Sequence, residues 1–237
     1  MRITANSLIS DLISFAIPMN KKKRLRQQLK NNWEETIEVL IKLIEMKDPY
    51  TKGHSEEVAK WSGIIAQNLN LNKDEQEEIK LAARLHDIGK IGISEEILNK
   101  PGRLSKEEYV EIKKHPVLGA DLFLNIKQLE NINQIIRYHH EWYNGEGYPD
   151  GLIGEKIPLG SRIINIADSY QAMTSDRPYR KALSKREAMA EFKSCAGSQF
   201  DPEIAMVFIK ILNGFIPEQI GLNRKRAENV VCVEQYI

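Results

Sequence analysis

The segment EQEEIKLAARLHD, residues 75–87, decides how this chain is read. Ile79, Ala82 and Ala83 fall at i, i+3 and i+4, the spacing of one face of an α-helix. The next position on that face is His86, and Asp87 follows it directly. A lone histidine there is most often a satisfied core residue, but an ionised carboxylate is almost never buried unless it is paired or holds a metal. Gly89 reads as the end of this helix, with Lys90 projecting from the turn beyond it.

The helical period extends in both directions from that segment. Trp33, Ile37, Leu40, Ile41 and Ile44 form one apolar stripe, and Val58, Trp61, Ile65 and Leu69 form another. Asp48-Pro49 closes the first helix, Asn72 or Asp74 opens the helix of the quoted segment, and Ser105 with Glu108 makes a capping box. Further helices are expected over 128–140, 159–174, 184–196 and 201–213, and strand-like alternation is scarce. The expected fold is all-α. One long irregular segment, about 141–158, carries Gly145, Gly147, Pro149, Gly151, Gly154 and Pro158, and a loop of that length between firm helices suggests function.

Two more stripes end in polar groups. Leu129, Ile132 and Ile136 lead to His139 and His140, which follow Ile136 by three and four positions. Asp168 lies four residues after Ile164 and beside Ala167, again on the inward face. His54 and His115 stand at helix boundaries, and Pro116 biases His115 towards leading the next segment. All 5 histidines of the chain therefore join two aspartates on apolar faces, which scattered core histidines would not produce. Imidazole and carboxylate without thiolate suit Fe, Mn, Zn or similar ions. If one aspartate bridges, these groups offer enough bonds for two ions with positions left for water and substrate. Two divalent ions against two carboxylates leave a charge of about +2, suited to a phosphate and a hydroxide, and paired ions are a known device for displacement at phosphorus. Phosphoester hydrolysis is the expected reaction.

Composition narrows the alternatives. With 34 basic and 33 acidic residues among 237, the net charge of +1 gives no general attraction to a nucleic-acid polymer or a membrane. Cys195 and Cys232 are far apart and form no CxxC, so neither a disulfide framework nor a thiolate site is signalled, and a reducing cytoplasm is expected. LISDLISFAIPM (8–19) is too short to span a bilayer, and KKKRLR (21–26) lies on the wrong side of it for a secretory signal. Residues 1–30 are thus expected to be a helical extension or linker remnant, with membrane contact by 8–26 disfavoured. A catalytic domain is expected over 31–215 and a tail over 216–237.

LHDIGKIGI, ILNKPGRLS, KKHPVLGADL, YHHEWYNGEGYPDGL and IADSYQAMTSDRPYRKAL resemble, in order, the motifs of the HD-GYP family over about residues 36–212. The resemblance implies an HD-domain helical bundle and a bacterial phosphodiesterase of cyclic di-GMP giving pGpG and often GMP. It implies His54, His86, Asp87, His115, His139, His140 and Asp168 as metal ligands, with Asp87 bridging two ions, most fittingly Fe or Mn, and a hydroxide between them as nucleophile. Lys90 would contact a phosphate or that nucleophile. Gly147, Tyr148 and Pro149 are the signature residues, which in the family line the substrate cleft, and Arg177 and Arg180 look like phosphate or guanine contacts.

Two positions depart from the family pattern. Where some relatives place a glutamate for a third metal, four residues before the first histidine, this chain has Tyr50, so two ions are expected. Where aspartate is common, it has Gln171, three residues after Asp168 on the same face, which bears on a hydrogen bond behind a ligand or on a substrate contact. The competing readings are a phosphohydrolase of another nucleotide such as cyclic GMP-AMP, and a non-catalytic module that senses cyclic di-GMP or docks to a diguanylate cyclase or upstream sensor domain.

Overall fold

The computed structural model describes residues 18–48, 53–176 and 181–214. Tyr50, Arg177, Arg180, Cys232, most of the 8–19 segment and the 216–237 tail lie outside the described residues. The chain divides into two compact units, residues 1–40 and 41–237. Helix α1 (Met19–Lys47) crosses from the first into the second. Ile41 and Ile44, in the larger unit, are buried as their stripe requires. Trp33, in the smaller unit, departs from that stripe and is 38% exposed, which an indole tolerates because its N–H keeps one edge polar.

Among the described residues of the larger unit the architecture is helical, and a single isolated bridge between Ala196 and Phe200 is the only strand-like pairing. The elements are α2 (His54–Asn68), α3 (Lys73–Leu85), a 3-10 turn (Ile88–Gly92), α4 (Glu95–Leu98), α5 (Lys106–Ile112), α6 (His115–Asp121), α7 (Glu130–Arg137), α8 (Leu159–Thr174), α9 (Lys185–Ser194) and α10 (Pro202–Leu212). Asn72 opens α3 with a full capping box to Glu75, and Ser105 does the same for α5 with Glu108. Asp201 caps α10 through the N–H groups of Glu203 and Ile204.

Helix α2 is central, packing on both α3 and α8, while α3 and α6 each pack on α7. Alanines at the α2–α3 contact, Ala59, Ala66, Ala82 and Ala83, are buried and allow close approach. Away from the histidines the core closes on a ring cluster. Trp61 meets Tyr170 at 5.1 Å and Phe208 at 5.7 Å, while Phe192 meets Phe208 at 5.3 Å and Phe200 at 4.8 Å, mostly edge to face. These contacts lock α2, α8, α9 and α10 together and fix the base from which α2 and α8 project their polar residues.

Two helix ends differ from the sequence reading. Helix α3 stops at Leu85, so His86 is its C-cap and Asp87 lies beyond it. Gly89 is therefore not a helix stop but a point of close approach. A Cβ there would meet the His115 carbonyl oxygen at 1.9 Å and the Gly119 nitrogen at 2.5 Å, so only glycine lets the 3-10 turn lie against α6. Helix α7 ends at Arg137, and His139 and His140 sit in the turn after it rather than on the helix. That turn keeps a near-helical course, with Tyr138 at φ −109° and ψ 13°, which is why the helical spacing still placed both rings on the buried side.

Candidate metal centre

Five segments deliver polar side chains to one buried place. Helix α2 begins with His54, α3 ends before His86 and Asp87, α6 begins with His115, the turn after α7 carries His139 and His140, and α8 carries Asp168. All seven are buried, from His139 at 0% to Asp168 at 8% exposure. Six of the seven bring their donor atoms into two groups, each within 4.8 Å: His54, His86 and Asp87, and His115, His139 and His140.

The hydrogen bonds on the far side of each ring set which nitrogen faces inward. His86 Nδ1 donates to the Ala83 carbonyl at 2.7 Å, His115 Nδ1 to that of Ile112 at 2.8 Å, and His139 Nδ1 to that of Ile136 at 2.6 Å. Each acceptor lies three residues before its histidine, a carbonyl that the local turn leaves available. In all three rings Nε2 is therefore the atom with the free electron pair. His115 Nε2 and His139 Nε2 face each other at 3.3 Å, and His54 Nε2 and His86 Nε2 at 3.2 Å. Neutral imidazoles placed lone pair against lone pair, as those of His115 and His139 are, repel unless a cation lies between them, so this donor set fits a metal.

Asp87 joins the two groups. Its Oδ2 lies 3.5 Å from His86 Nε2 and 3.7 Å from His54 Nε2, while its Oδ1 lies 3.4 Å from His115 Nε2. One carboxylate oxygen thus faces each trio, the disposition a bridging ligand needs. Asp168 Oδ1 is 3.2 Å from His54 Nε2.

The electrostatics match. Burial is the largest influence on His115 and His140, depressing them to about 4 and about 3, and it holds His139 well below the usual histidine range. Burial pushes Asp87 upward, but Lys90 and the surrounding histidines outweigh it and keep the carboxylate well below its ordinary value. Asp168 behaves the same way, its burial outweighed by the hydrogen bond with His54. His54 is raised in turn, because Asp168 and Asp87 overcome its desolvation. The site therefore presents mostly neutral imidazoles and ionised carboxylates, the forms that bind a metal ion.

Lys90 leans back over the site. Its Nζ lies 2.9 Å from Asp87 Oδ2 and 3.3 Å from Asp48 Oδ2, and these carboxylates raise its pKa against the effect of burial. Asp48 escaped the sequence reading, where it served only as helix punctuation. The contact spans 42 residues, and no local pattern announces it. Lys47 donates through Nζ to the Ile91 carbonyl, and Asn99 Nδ2 donates to the Lys47 carbonyl at 3.2 Å, which holds the end of α1 beside the 3-10 turn.

A cleft of about 160 Å³ opens onto these groups. Asp48, Asp87, Lys90, His140, Asp168 and Gln171 lie at its floor and sides, and Lys100 and Tyr109 come from the α4–α5 region. The signature residues stand behind His140 rather than among the described lining of this cleft. The Tyr148 ring stacks on His140 at 4.8 Å and 25°, and the Tyr148 N–H donates to the His140 carbonyl at 3.1 Å. Lys113 Nζ lies 5.1 Å from the Tyr148 ring and 4.6 Å from that of Tyr109. A Cβ on Gly147 would meet the Trp142 nitrogen at 2.2 Å and the His140 oxygen at 2.5 Å, so the loop lies on the backbone that carries the histidine pair. The Tyr148–Pro149 peptide is cis. Buried Glu141 completes the arrangement, accepting from the N–H groups of Asp150 at 2.7 Å and of Gly151 and Leu152 at 3.0 Å.

The HD domain family matches residues 38–204. The chain is 39% identical over 170 residues to the cyclic di-GMP phosphodiesterase response regulator RpfG of Xanthomonas campestris pv. campestris, covering 71% of this chain and 45% of that protein. It is 40% identical over 179 residues to a cyclic di-GMP phosphodiesterase of Thermotoga maritima, covering 75% of this chain and 49% of the relative. Its fold is similar to the crystal structure of a cyclic GMP-AMP-specific phosphodiesterase of Vibrio cholerae, with a TM-score of 0.56 at 22% identity over 75% of this chain and 48% of that one. The chain belongs to the HD domain family, in its HD-GYP branch. It spans about half the length of these two curated relatives, 45% and 49%. No helix among the described residues is long and apolar enough to cross a membrane.

Proposed function

We propose that the chain is the catalytic part of a metal-dependent phosphodiesterase that hydrolyses cyclic di-GMP to pGpG, with GMP as the further product. Residues 31–215 form the catalytic domain, 1–30 a helical extension or linker, and 216–237 a tail. The protein works in the cytoplasm, where an upstream sensor domain or a diguanylate cyclase is its fitting partner. One observation carries the reading: two buried trios of donors, His54, His86, Asp87 and His115, His139, His140, share the two oxygens of Asp87 beside an open cleft.

Two divalent cations, Fe or Mn by the histidine-rich donor set, would be held by those residues with Asp168, and when bound they supply Lewis-acid charge and a more acidic water. Everything else falls to the chain. Lys90, held from behind by Asp48, offers its ammonium to a non-bridging phosphate oxygen. Hydrolysis adds OH to phosphorus and the proton to the departing ribose oxygen, and the developing negative charge stays next to that ammonium. A substrate phosphodiester would enter by the cleft that opens onto these ligands, which Lys100 and Tyr109 also line. Gly147, Tyr148 and Pro149 act on the cleft by seating His140, and Arg177 and Arg180 serve as further phosphate or guanine contacts.

Anaerobic loading with Fe or Mn, followed by chromatography of the products from cyclic di-GMP and, in parallel, cyclic GMP-AMP, tests this reading. Release of pGpG or GMP is expected, and Asp87→Ala should abolish both bound metal and turnover. Tight binding of cyclic di-GMP by metal-loaded protein with no release of either product would replace catalysis by sensing. Faster opening of cyclic GMP-AMP would change the substrate.

A further inference from the structure

Three of the inward-facing rings are fixed by backbone carbonyls, which no substitution can exchange. His54 is held differently, by a side chain. Its Nδ1 lies 2.6 Å from Gln171 Oε1, across 117 residues of sequence. Gln171 is itself aimed by its other end, since its Nε2 donates to Ser175 Oγ at 3.0 Å, one turn further along the chain. In this arrangement the amide oxygen faces His54, and the amide nitrogen faces the Ser175 hydroxyl, which accepts from it. The oxygen can only accept, so the ring proton sits on Nδ1, and Nε2 is the atom left for the trio.

The consequence is local and chemical. His54 Nε2 is the atom 3.2 Å from His86 Nε2, 3.2 Å from Asp168 Oδ1 and 3.7 Å from Asp87 Oδ2. The other tautomer would point an N–H into that space and exclude a cation from it. An amide carbonyl secures the tautomer but carries no charge. A carboxylate in its place would add electron density to the ring and a negative charge close to the cation.

We propose that Gln171 is a positioning residue for His54, fixing its Nε2 as the donor to the His54, His86, Asp87 trio, and that its neutrality weakens that trio's hold on a divalent cation relative to a carboxylate. This rests on the two-cation reading above and names what tunes one of its two positions. Gln171 is half-buried and also lines the cleft.

The test is Mn²⁺ binding to the metal-stripped full chain by titration calorimetry, comparing wild type with Gln171→Leu and the isosteric Gln171→Glu. The Leu variant should weaken one of two binding steps roughly 10- to 100-fold and leave the other unchanged. The Glu variant should tighten the same step. The melting midpoint of the metal-free proteins should stay the same, which separates positioning from general loosening. A Leu variant with the wild-type isotherm would overturn the inference, as would loss of both steps together with a lowered midpoint. A Glu variant that binds more weakly than wild type would overturn its charge component. If wild type itself bound no Mn²⁺, the two-cation reading would fall and this inference with it, a result distinguishable because it precedes any substitution.

Discussion

Acid should destabilise the metal-free protein well before its carboxylates titrate. His115 and His140 are depressed by burial from 6.5 to about 4 and about 3, and His139 is lowered as well. Below pH 6.5 the unfolded chain binds protons on these rings that the folded site refuses, so unfolding gains free energy as pH falls. The loss continues down to the folded values and then levels off. Between pH 7 and pH 5 His115 and His140 each cost about 2 kcal/mol, from a shift of one unit being worth about 1.4 kcal/mol, and His139 acts in the same direction. His54 works in the opposite direction, because its folded value is raised and its protonated form is favoured by Asp168 and Asp87. Asp87 and Asp168, held low, contribute stability that is lost only as pH falls below the ordinary carboxylate range. The net expectation is a fall of several kcal/mol over those two pH units, a large share of the roughly 5–15 kcal/mol that a domain has. Urea denaturation in the presence of chelator, at fixed ionic strength, measures it directly. Adding saturating divalent cation should steepen the dependence, because protons and cations compete for the same Nε2 atoms. An unfolding free energy equal at pH 7 and pH 5 without metal would refute the argument that these rings are kept neutral by burial.

Three further outcomes follow from particular contacts. Asp48→Ala removes one of the two carboxylates that hold Lys90 and should lower turnover by roughly 10- to 100-fold, the worth of a hydrogen bond to a charged group, while metal content by elemental analysis stays at the wild-type level. Gly147→Ala forces a Cβ into the His140 and Trp142 backbone, so Mn²⁺ titration should show weakened binding although no ligand has been changed. Phe208→Ala leaves a void among Trp61, Tyr170 and Phe192 and should cost about 3–5 kcal/mol in chemical denaturation, with the metal-binding stoichiometry retained in the folded fraction.

The parts of the site that were legible in the sequence are those where a local period ended in a polar residue. His86 and Asp168 sit where an apolar stripe would continue, and the inference needed only the helical repeat. His139 and His140 were placed on the correct side by the same repeat even though the helix had already ended, because the turn at Tyr138 continues the path. Gly89 was visible as a breaker, but its close approach to α6 was not, since that depends on a residue 26 positions away in space-filling contact. Asp48 shows the other limit, since it meets Lys90 across 42 residues and leaves no short-range trace, whereas Gln171, which meets His54 across 117, stood out only by its departure from the family pattern on the face of Asp168. The signature loop lacks any period, and its place behind His140 emerged only from the stacking of Tyr148 and the tight fit of Gly147.

Glu141 draws one more consequence from this arrangement. Its carboxylate gathers three consecutive loop N–H groups, those of Asp150, Gly151 and Leu152, and it directly follows the histidine pair in the chain. The loop is therefore held in two ways: Asn144 N–H donates to the Ser198 carbonyl and Gly154 N–H to the Tyr143 carbonyl, both at 2.9 Å, while Glu141 clasps the stretch between. The stretch from Gly147 to Leu152 has to be transplanted together with His139–Glu141 as one cassette, because a loop grafted without its carboxylate clasp would arrive with three unanswered amides and no fixed seat for the rings beside it.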